Sequence, residues 1–303
     1  MVRCRTLRFR QLTDERSGGD PSPTDSIKPP ATPAVDVQIV CIIGEGSRSV
    51  ADRLADRLVE TRAGRVATVD CTAASVAGET ATDAGRFQLD GDGRWRASGT
   101  DRSPMELLDS LAPDYEYAVV AGLNHHRLPT VVLGDAEPAP SAEVVATASS
   151  NKGLDIERLV DTVDDFEPHV TLETLIQQAK ATPQADRSGA IATFTGRVRA
   201  KDSADDARTE HLSFEKYEDV AEQRLETIRE ELTDREGVFE VLMHHRVGLM
   251  EDGEDIVFVV VLAGHREEAF RTVEDGINRL KDEVPIFKKE TTTDEEFWLH
   301  QRE

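Results

Sequence analysis

The feature that most constrains the fold is an apolar run at residues 37–43, which reads VQIVCII and stops at the glycines of GEGS. A short run with so few polar residues predicts a strand buried on both faces, and such a strand needs helices on each side of its sheet. Residues 50–59 predict the first helix, because Val50, Leu54 and Leu58 share one helical face. The opening of the ordered chain therefore predicts a layered α/β fold.

The same alternation continues to about residue 165. Further strands are predicted at 65–69, 117–122 and 129–133, an irregular insert at 76–103, and a closing helix at 155–163. Strands that alternate with helices favour a mostly parallel sheet, so residues 37–165 are predicted to form one α/β domain. Residues 1–36 are rich in Pro, Ser, Asp and Gly and are predicted to be a disordered leader or an over-long start of the chain.

The pattern changes after residue 166. Strands are predicted at 189–199, 209–215, 238–247 and 255–263, helices at 171–180, 217–232 and 266–283, and a closing hairpin at 286–289 and 296–300. Phe270 is placed on the apolar face of the last helix with Val273, Ile277 and Leu280. The strands here follow one another with few helices between them, which predicts an α+β domain with antiparallel pairing over residues 166–303.

The composition excludes several classes of protein. A net charge of −23, shared by both halves, argues against a nucleic-acid binder, which needs a basic face, and is typical of salt-adapted proteins. No apolar run reaches the length of a membrane span, so no membrane partner is expected. The three cysteines show no CxxC spacing, which indicates neither a disulfide framework nor a zinc site. We expect a cytoplasmic protein.

Lysine is rare in this chain, and three of its eight lysines fall between residues 281 and 289. Lys281 shares the inner side of the predicted helix with Ile277, and Lys288 follows on the predicted returning strand. A desolvated lysine beside a second cation has a lowered pKa and can act as a nucleophile or base. Alternatively, Lys281 is a helix C-terminal cation favoured by the helix dipole.

Two further groups of cations fit an anion site. His265 and Arg266 stand at a strand-to-helix junction, where free backbone N–H groups also favour an anion. Arg197 and Arg199 end a predicted strand that also carries Phe194. The alternatives are that Arg266 pairs with a neighbouring acid, that His265 is a capping or surface group, and that both strand-end arginines are solvated.

Together these segments resemble one family. The sequences ATFTGRVR at 192–199, HRVG at 245–248, GHREEAF at 264–270, LK at 280–281 and PIFKKE at 285–290 resemble, in order and spacing, the molybdopterin synthase large subunit, the MoaE family. The resemblance covers about 170–300. Small departures are Ile286 and Phe287, where the family has aromatic residues at both positions, and Ile277, where it can have methionine.

The resemblance implies a fold, a reaction and its partners. The implied fold is an α/β hammerhead, in a homodimer that forms a heterotetramer with a small ubiquitin-like sulfur carrier. The carrier's C-terminal Gly-Gly thiocarboxylate gives sulfur to cyclic pyranopterin monophosphate, which makes molybdopterin without a further cofactor. Lys281 and Lys288 would be catalytic. Substrate binding would fall to Arg199, Phe194, His265 and Arg266, with His265 and Arg266 reaching across the dimer.

The first domain carries a second, weaker likeness. Its GEGSRS segment follows a strand and precedes a helix, as a phosphate loop does, but the lysine of a phosphate loop is missing. Residues 117–135 resemble the molybdopterin-guanine dinucleotide accessory protein, with Ala121 where that family has an acid. Gly44 and Gly46 are therefore candidates for a degenerate nucleotide site, in a P-loop-like domain. The alternatives are a purely structural or docking domain and, for the whole chain, a nucleotide-binding accessory protein for cofactor maturation or insertion.

Overall fold

The computed structural model describes residues 36–72, 85–201, 203, 207–292 and 296–299, with Glu218 and the last four residues described by their backbone alone. The predicted leader, apart from Asp36, and the first part of the predicted insert lie outside the described residues. In the described part of the chain, no helix is long and apolar enough to cross a membrane.

The first half contains a parallel sheet with helices on both faces. In chain order its elements are β1 (Gln38–Ile43), α1 (Ser47–Thr61), β2 (Val66–Asp70), β3 (Arg86–Leu89), β4 (Trp95–Ser98), α2 (Pro104–Leu111), β5 (Tyr117–Ala121), β6 (Thr130–Leu133), β7 (Val144–Ala148) and α3 (Ile156–Thr162). The sheet order is β2–β5–β1–β6–β7, with every pairing parallel. This confirms the predicted parallel sheet.

Strand β1 is buried on both faces, as its composition predicts. Val40 and Ile42 pack with α1 and α3, while Ile39 and Cys41 pack on the other face, where α2 lies. Burial on both faces explains why the strand lacks the alternation of polar and apolar residues that marks a half-exposed strand.

Residues 85–103 are more regular than the predicted irregular insert. Strands β3 and β4 pair as an antiparallel hairpin. Helix α2 follows directly and begins with a capping box, in which Ser103 accepts a hydrogen bond from the backbone of Glu106 and the Glu106 side chain accepts one from the backbone of Ser103. The sequence SPME carries this signal, with proline at the first helical position. Strand β7 was also not predicted.

The second half is α+β. Its elements are α4 (Leu172–Ala181), β8 (Ala190–Arg197), β9 (Thr209–Lys216), α5 (Glu218–Thr233), β10 (Val238–His245), β11 (Gly248–Glu251), β12 (Asp255–Ala263), α6 (Arg266–Glu283), β13 (Ile286–Thr292) and β14 (Glu296–Leu299). Two antiparallel sheets form, β10–β12–β8 and β11–β9–β13–β14. Helices α5 and α6 cover one face of the first sheet and α4 the other. The predicted antiparallel pairing is confirmed.

Two details differ from the sequence prediction. Residues 238–247 and 255–263 were predicted as strands joined by a turn at 251–254, but the chain leaves the first sheet after β10 and enters the second as β11 before it reaches that turn. Phe270 is 64% exposed, so its placement on the apolar face of α6 was wrong. The buried face of α6 includes Ala269 and Leu280, and Phe270 lies about 100° around the helix from Ala269.

The two halves meet at the amino ends of the parallel strands. Val37, just before β1, forms an antiparallel bridge with His169, whose Nε2 lies 2.6 Å from Oδ1 of Asp109. Arg127, just before β6, forms an ion pair with Glu254. The Gly44–Gly46 loop follows the carboxyl end of β1, at the opposite edge of the same sheet. The division into domains at residue 165 stays a prediction.

Candidate functional site

Lys281 and Phe194 are neighbours in the structure. Lys281 lies in the last turn of α6, and its Nζ is 6.0 Å from the centre of the Phe194 ring on β8. They meet because α6 packs along β8 and shares its core: Phe194 and Leu280 belong to one apolar cluster. Lys281 is exposed and Phe194 half-buried. An ammonium group at this distance from an aromatic face is held by a cation–π attraction.

Lys288 lies on the strand that returns from this end of α6. Strand β13 begins at Ile286, which packs in the same cluster as Leu280 and Val284. Lys288 shares the strand face of Ile286, because side chains alternate along a strand. Its Nζ is 3.8 Å from Oε2 of Glu290, two residues further on the same face. Lys288 therefore has a carboxylate beside it.

The two strand-end arginines have different surroundings. Arg197 donates to the carbonyl oxygen of Gly253 at 3.1 Å through Nε, and the same nitrogen lies 3.1 Å from Oδ1 of Asp255. Val198 is buried, and Arg199 is exposed beyond it. Arg197 is thus held against the turn before β12, and Arg199 lies at the surface, directly after the buried Val198.

His265 and Arg266 stand at the opposite end of α6 from Lys281. His265 is the N-cap residue and makes no capping hydrogen bond through its side chain, and Arg266 is the first residue of the helix. Both are exposed and, with Glu267 and Glu268, line a depression of about 310 Å³. Fifteen residues separate Arg266 from Lys281, which is about 22 Å along a helix. A single chain does not bring these two groups together.

The two candidate nucleotide-site glycines have a packing explanation. Gly44 has φ +98°, and a Cβ there would lie 2.2 Å from the carbonyl oxygen of Leu133. Gly46 has φ +83°, and a Cβ there would lie 2.8 Å from Nδ2 of Asn151. Both positions combine a left-handed backbone with a close approach that only glycine allows. The neighbours of the loop therefore account for both glycines.

Two adjacent histidines, to which the sequence assigned no role, form a half-buried pair. His244 and His245 end β10 and line a cleft of about 760 Å³ between α5 and residues 165–170. Burial lowers the pKa of His244 to about 3, and the nearby Arg246 guanidinium adds to this. Burial also lowers the pKa of His245 to about 4, although a hydrogen bond to the Arg246 backbone opposes the shift. Both imidazoles are neutral at physiological pH.

The polar contacts between the halves were also missed. Asp109, Arg127, His169 and Arg246 come together there, yet the partners Arg127 and Glu254 are 127 residues apart in sequence. Local sequence carries no signal for such a pair. Among the described residues, no group of three His, Cys, Asp or Glu side chains could hold a metal ion.

The arrangement suits an anionic substrate, because α6, β13 and the end of β8 present cationic side chains in an otherwise acidic protein.

Residues 167–283 match the family described as MoaE protein. The chain is 55% identical over 268 residues to the "Probable molybdopterin synthase" of Haloferax volcanii, a match that covers 88% of this chain and 100% of the relative.

Shorter relatives match the second half alone. The "Molybdopterin synthase catalytic subunit" of Pyrococcus abyssi is 37% identical over 124 residues, covering 41% of this chain and 82% of the relative. The crystal structure of molybdopterin synthase from Staphylococcus aureus is 33% identical, covers 38% of this chain and 83% of that chain, and superposes with a TM-score of 0.36.

The chain therefore belongs to the MoaE family of molybdopterin synthases. It is an enzyme of molybdenum cofactor biosynthesis, a sulfurtransferase, as the sequence motifs predicted. The match to the Haloferax volcanii relative extends far beyond residues 167–283, so that relative shares much of the first half as well. The likeness of the first half to the dinucleotide accessory protein stays a prediction.

Proposed function

We propose that this chain moves sulfur from the C-terminal thiocarboxylate of a small ubiquitin-like carrier to cyclic pyranopterin monophosphate, giving molybdopterin. Family membership supports the reaction, and the position of Lys281 beside Phe194 at the end of α6 is the observation that carries it for this chain. Both reactants are anions, and the cationic side chains of α6, β13 and the end of β8 stabilise them and the charge that develops during transfer.

The proposed roles follow from the surroundings of each side chain. Lys281 meets the carrier's terminal carbonyl or transfers a proton as sulfur attacks the pterin side chain. Lys288, with Glu290 beside it, is its partner in catalysis. Arg199 is exposed and able to bind the phosphate of the precursor, and the Phe194 ring offers a flat face to the pterin.

The complete site is proposed to need two copies of the chain. His265 and Arg266 are about 22 Å along α6 from Lys281, so a site that uses all three takes them from different chains. A homodimer with one carrier at each end, in the α/β hammerhead fold of the family, satisfies this requirement. Sulfur transfer itself needs no further cofactor. We place this acidic, salt-adapted enzyme in the cytoplasm.

The alternative, a nucleotide-dependent accessory protein, is not favoured. The loop after β1 lacks the phosphate-loop lysine, and Leu133 and Asn151 occupy the space beside its glycines. A nucleotide in the first half remains a separate proposal, which sulfur transfer does not require.

The test is to replace Lys281 by Ala and by Arg, then measure molybdopterin formation and carrier affinity. Both variants should lose product formation and keep carrier binding, because arginine stays protonated and can serve as neither base nor nucleophile. Lys180 is a matched control, since it is an exposed lysine in the last turn of α4. Its Ala and Arg variants should keep full activity.

Near-normal turnover by Lys281→Arg would contradict the catalytic assignment, since a helix-end cation needs only its charge. Lys288 would then become the principal candidate, and the same pair of substitutions there would decide.

A further inference from the structure

The turn between β11 and β12 supports the segment that presents Arg199. The backbone N–H of Val198 donates to the carbonyl oxygen of Glu254 at 2.9 Å, and the N–H of Gly253 donates to the carbonyl oxygen of Val198 at 3.0 Å. Val198 is 3% exposed, so these bonds are shielded from water. The position of this turn therefore fixes the backbone directly before Arg199.

A side chain from the first half of the protein binds this turn. Arg127, in the loop between β5 and β6, pairs through Nη2 with Oε1 of Glu254, and these side chains are only 10% and 22% exposed. The aliphatic stem of Arg127 lies over Gly248, where a Cβ would be 3.5 Å from its Cγ. The second oxygen of Glu254 accepts a hydrogen bond from the backbone of Glu251 at 2.7 Å. Glu254, at the end of the turn, thus contacts Arg127 with one carboxylate oxygen and Glu251, at the start of the turn, with the other.

We propose that Arg127 is a positioning residue for sulfur transfer: through Glu254, the first half of the chain fixes the turn that places Arg199 for the precursor's phosphate. This proposal rests on the proposed function, in which Arg199 binds that phosphate. The parallel sheet then supports the reaction through a contact at the amino ends of its strands. This role needs no nucleotide, because the Gly44–Gly46 loop lies at the opposite edge of the sheet.

The chemistry predicts which kinetic constant responds. Arg127 is only 10% exposed where the two halves meet, and it acts through Glu254. In this proposal it does not touch the reacting atoms. If the turn shifts, the phosphate contact weakens both in the ground state and in the transition state, which raises KM and leaves kcat nearly unchanged. The carrier docks over many contacts of its own, so its affinity should not change.

The experiment compares Arg127→Met and Arg127→Lys in the full chain with its thiocarboxylated carrier. For Arg127→Met, KM for the cyclic precursor should rise about tenfold, with kcat within about twofold. Arg127→Lys keeps the charge and should restore most of the affinity. Arg57→Met is the matched control, because Arg57 also pairs with a glutamate, Glu157 at 2.8 Å, but within the first half. Its KM should equal that of the wild type.

An unchanged KM in folded Arg127→Met, or an equal fall in kcat and carrier affinity, would overturn the proposal. If Arg127→Met does not fold, judged by circular dichroism, Arg127→Lys and the charge reversal Arg127→Glu with Glu254→Arg decide by the same constants. Arg199→Met separates this proposal from the proposed function. If that variant keeps the wild-type KM, the phosphate assignment itself is wrong, whatever Arg127 does.

Discussion

Replacing His244 by Gln should make the free energy of unfolding fall less steeply as the pH is lowered from 7 to 4.5. His244 is the second-last residue of β10 and stacks on Phe258, with ring centres 6.4 Å apart and planes 14° from parallel. Burial holds its pKa near 3, helped by the positive charge of Arg246 and the nearby His245, Lys216 and His169. An unfolded histidine titrates near pH 6.5. Between these two values the unfolded chain binds a proton that folded His244 does not.

The sign and size of the effect follow from that difference. Above about pH 6.5 neither state is protonated, and the contribution of His244 to stability is complete. Below it, protons favour the unfolded state, and each pH unit removes about 1.4 kcal/mol until the folded pKa is reached. Between pH 6.5 and 4.5 the loss is roughly 2 kcal/mol, a large part of an ordinary folding free energy. His245, with a pKa near 4, acts in the same direction over the same interval.

Urea unfolding at several pH values between 7 and 4.5, at one fixed salt concentration, measures this directly. The slope of unfolding free energy against pH should be smaller by roughly 1 kcal/mol per unit in His244→Gln, and by nearly twice that when His245→Gln is added. Glutamine can change the stability at pH 7, but that change cancels in the slope. Parallel curves for wild type and His244→Gln would show that His244 is not held neutral by burial.

Two further predictions concern the loop after β1. Gly44→Ala should destabilise the protein by about 2 kcal/mol or more, because a Cβ would meet the carbonyl oxygen of Leu133 at a positive φ; urea unfolding within about 0.5 kcal/mol of wild type would contradict the packing explanation. The protein should not hydrolyse ATP or GTP, because no phosphate-loop lysine follows Gly46; magnesium-dependent phosphate release that is lost in Gly44→Ala would refute this.

Local patterns in the sequence were sufficient for much of the fold. The apolar run of β1 and the one-sided helix after it depend on neighbouring residues, and both are found where expected. Helix α2 was not predicted although its capping box begins at Ser103, because the helix is short and follows directly on residues of irregular composition. Strand β11 could not be predicted, since it depends on the chain changing sheets after β10.

The grouping of the candidate site residues was predictable to the extent that they share a motif. Lys281 and Phe194 are 87 positions apart and meet only because α6 packs along β8, yet the combined motifs had grouped them. The separation of His265 from Lys281 follows from helix length and could be calculated in advance. The contact between Arg127 and Glu254 could not, because neither residue type nor spacing distinguishes it from many other arginine–glutamate pairs in an acidic chain.

The two edges of the parallel sheet have different freedom to change during evolution. The amino edge carries Val37 and Arg127, and a substitution there must suit both halves at once. The carboxyl edge, with the Gly44–Gly46 loop, is one strand length away, about 20 Å for six residues. Apart from the two glycines, whose packing constraints lie within the first half, residues at the carboxyl edge can therefore change without a compensating change in the second half, whereas residues at the amino edge are expected to vary in step with the turn before β12.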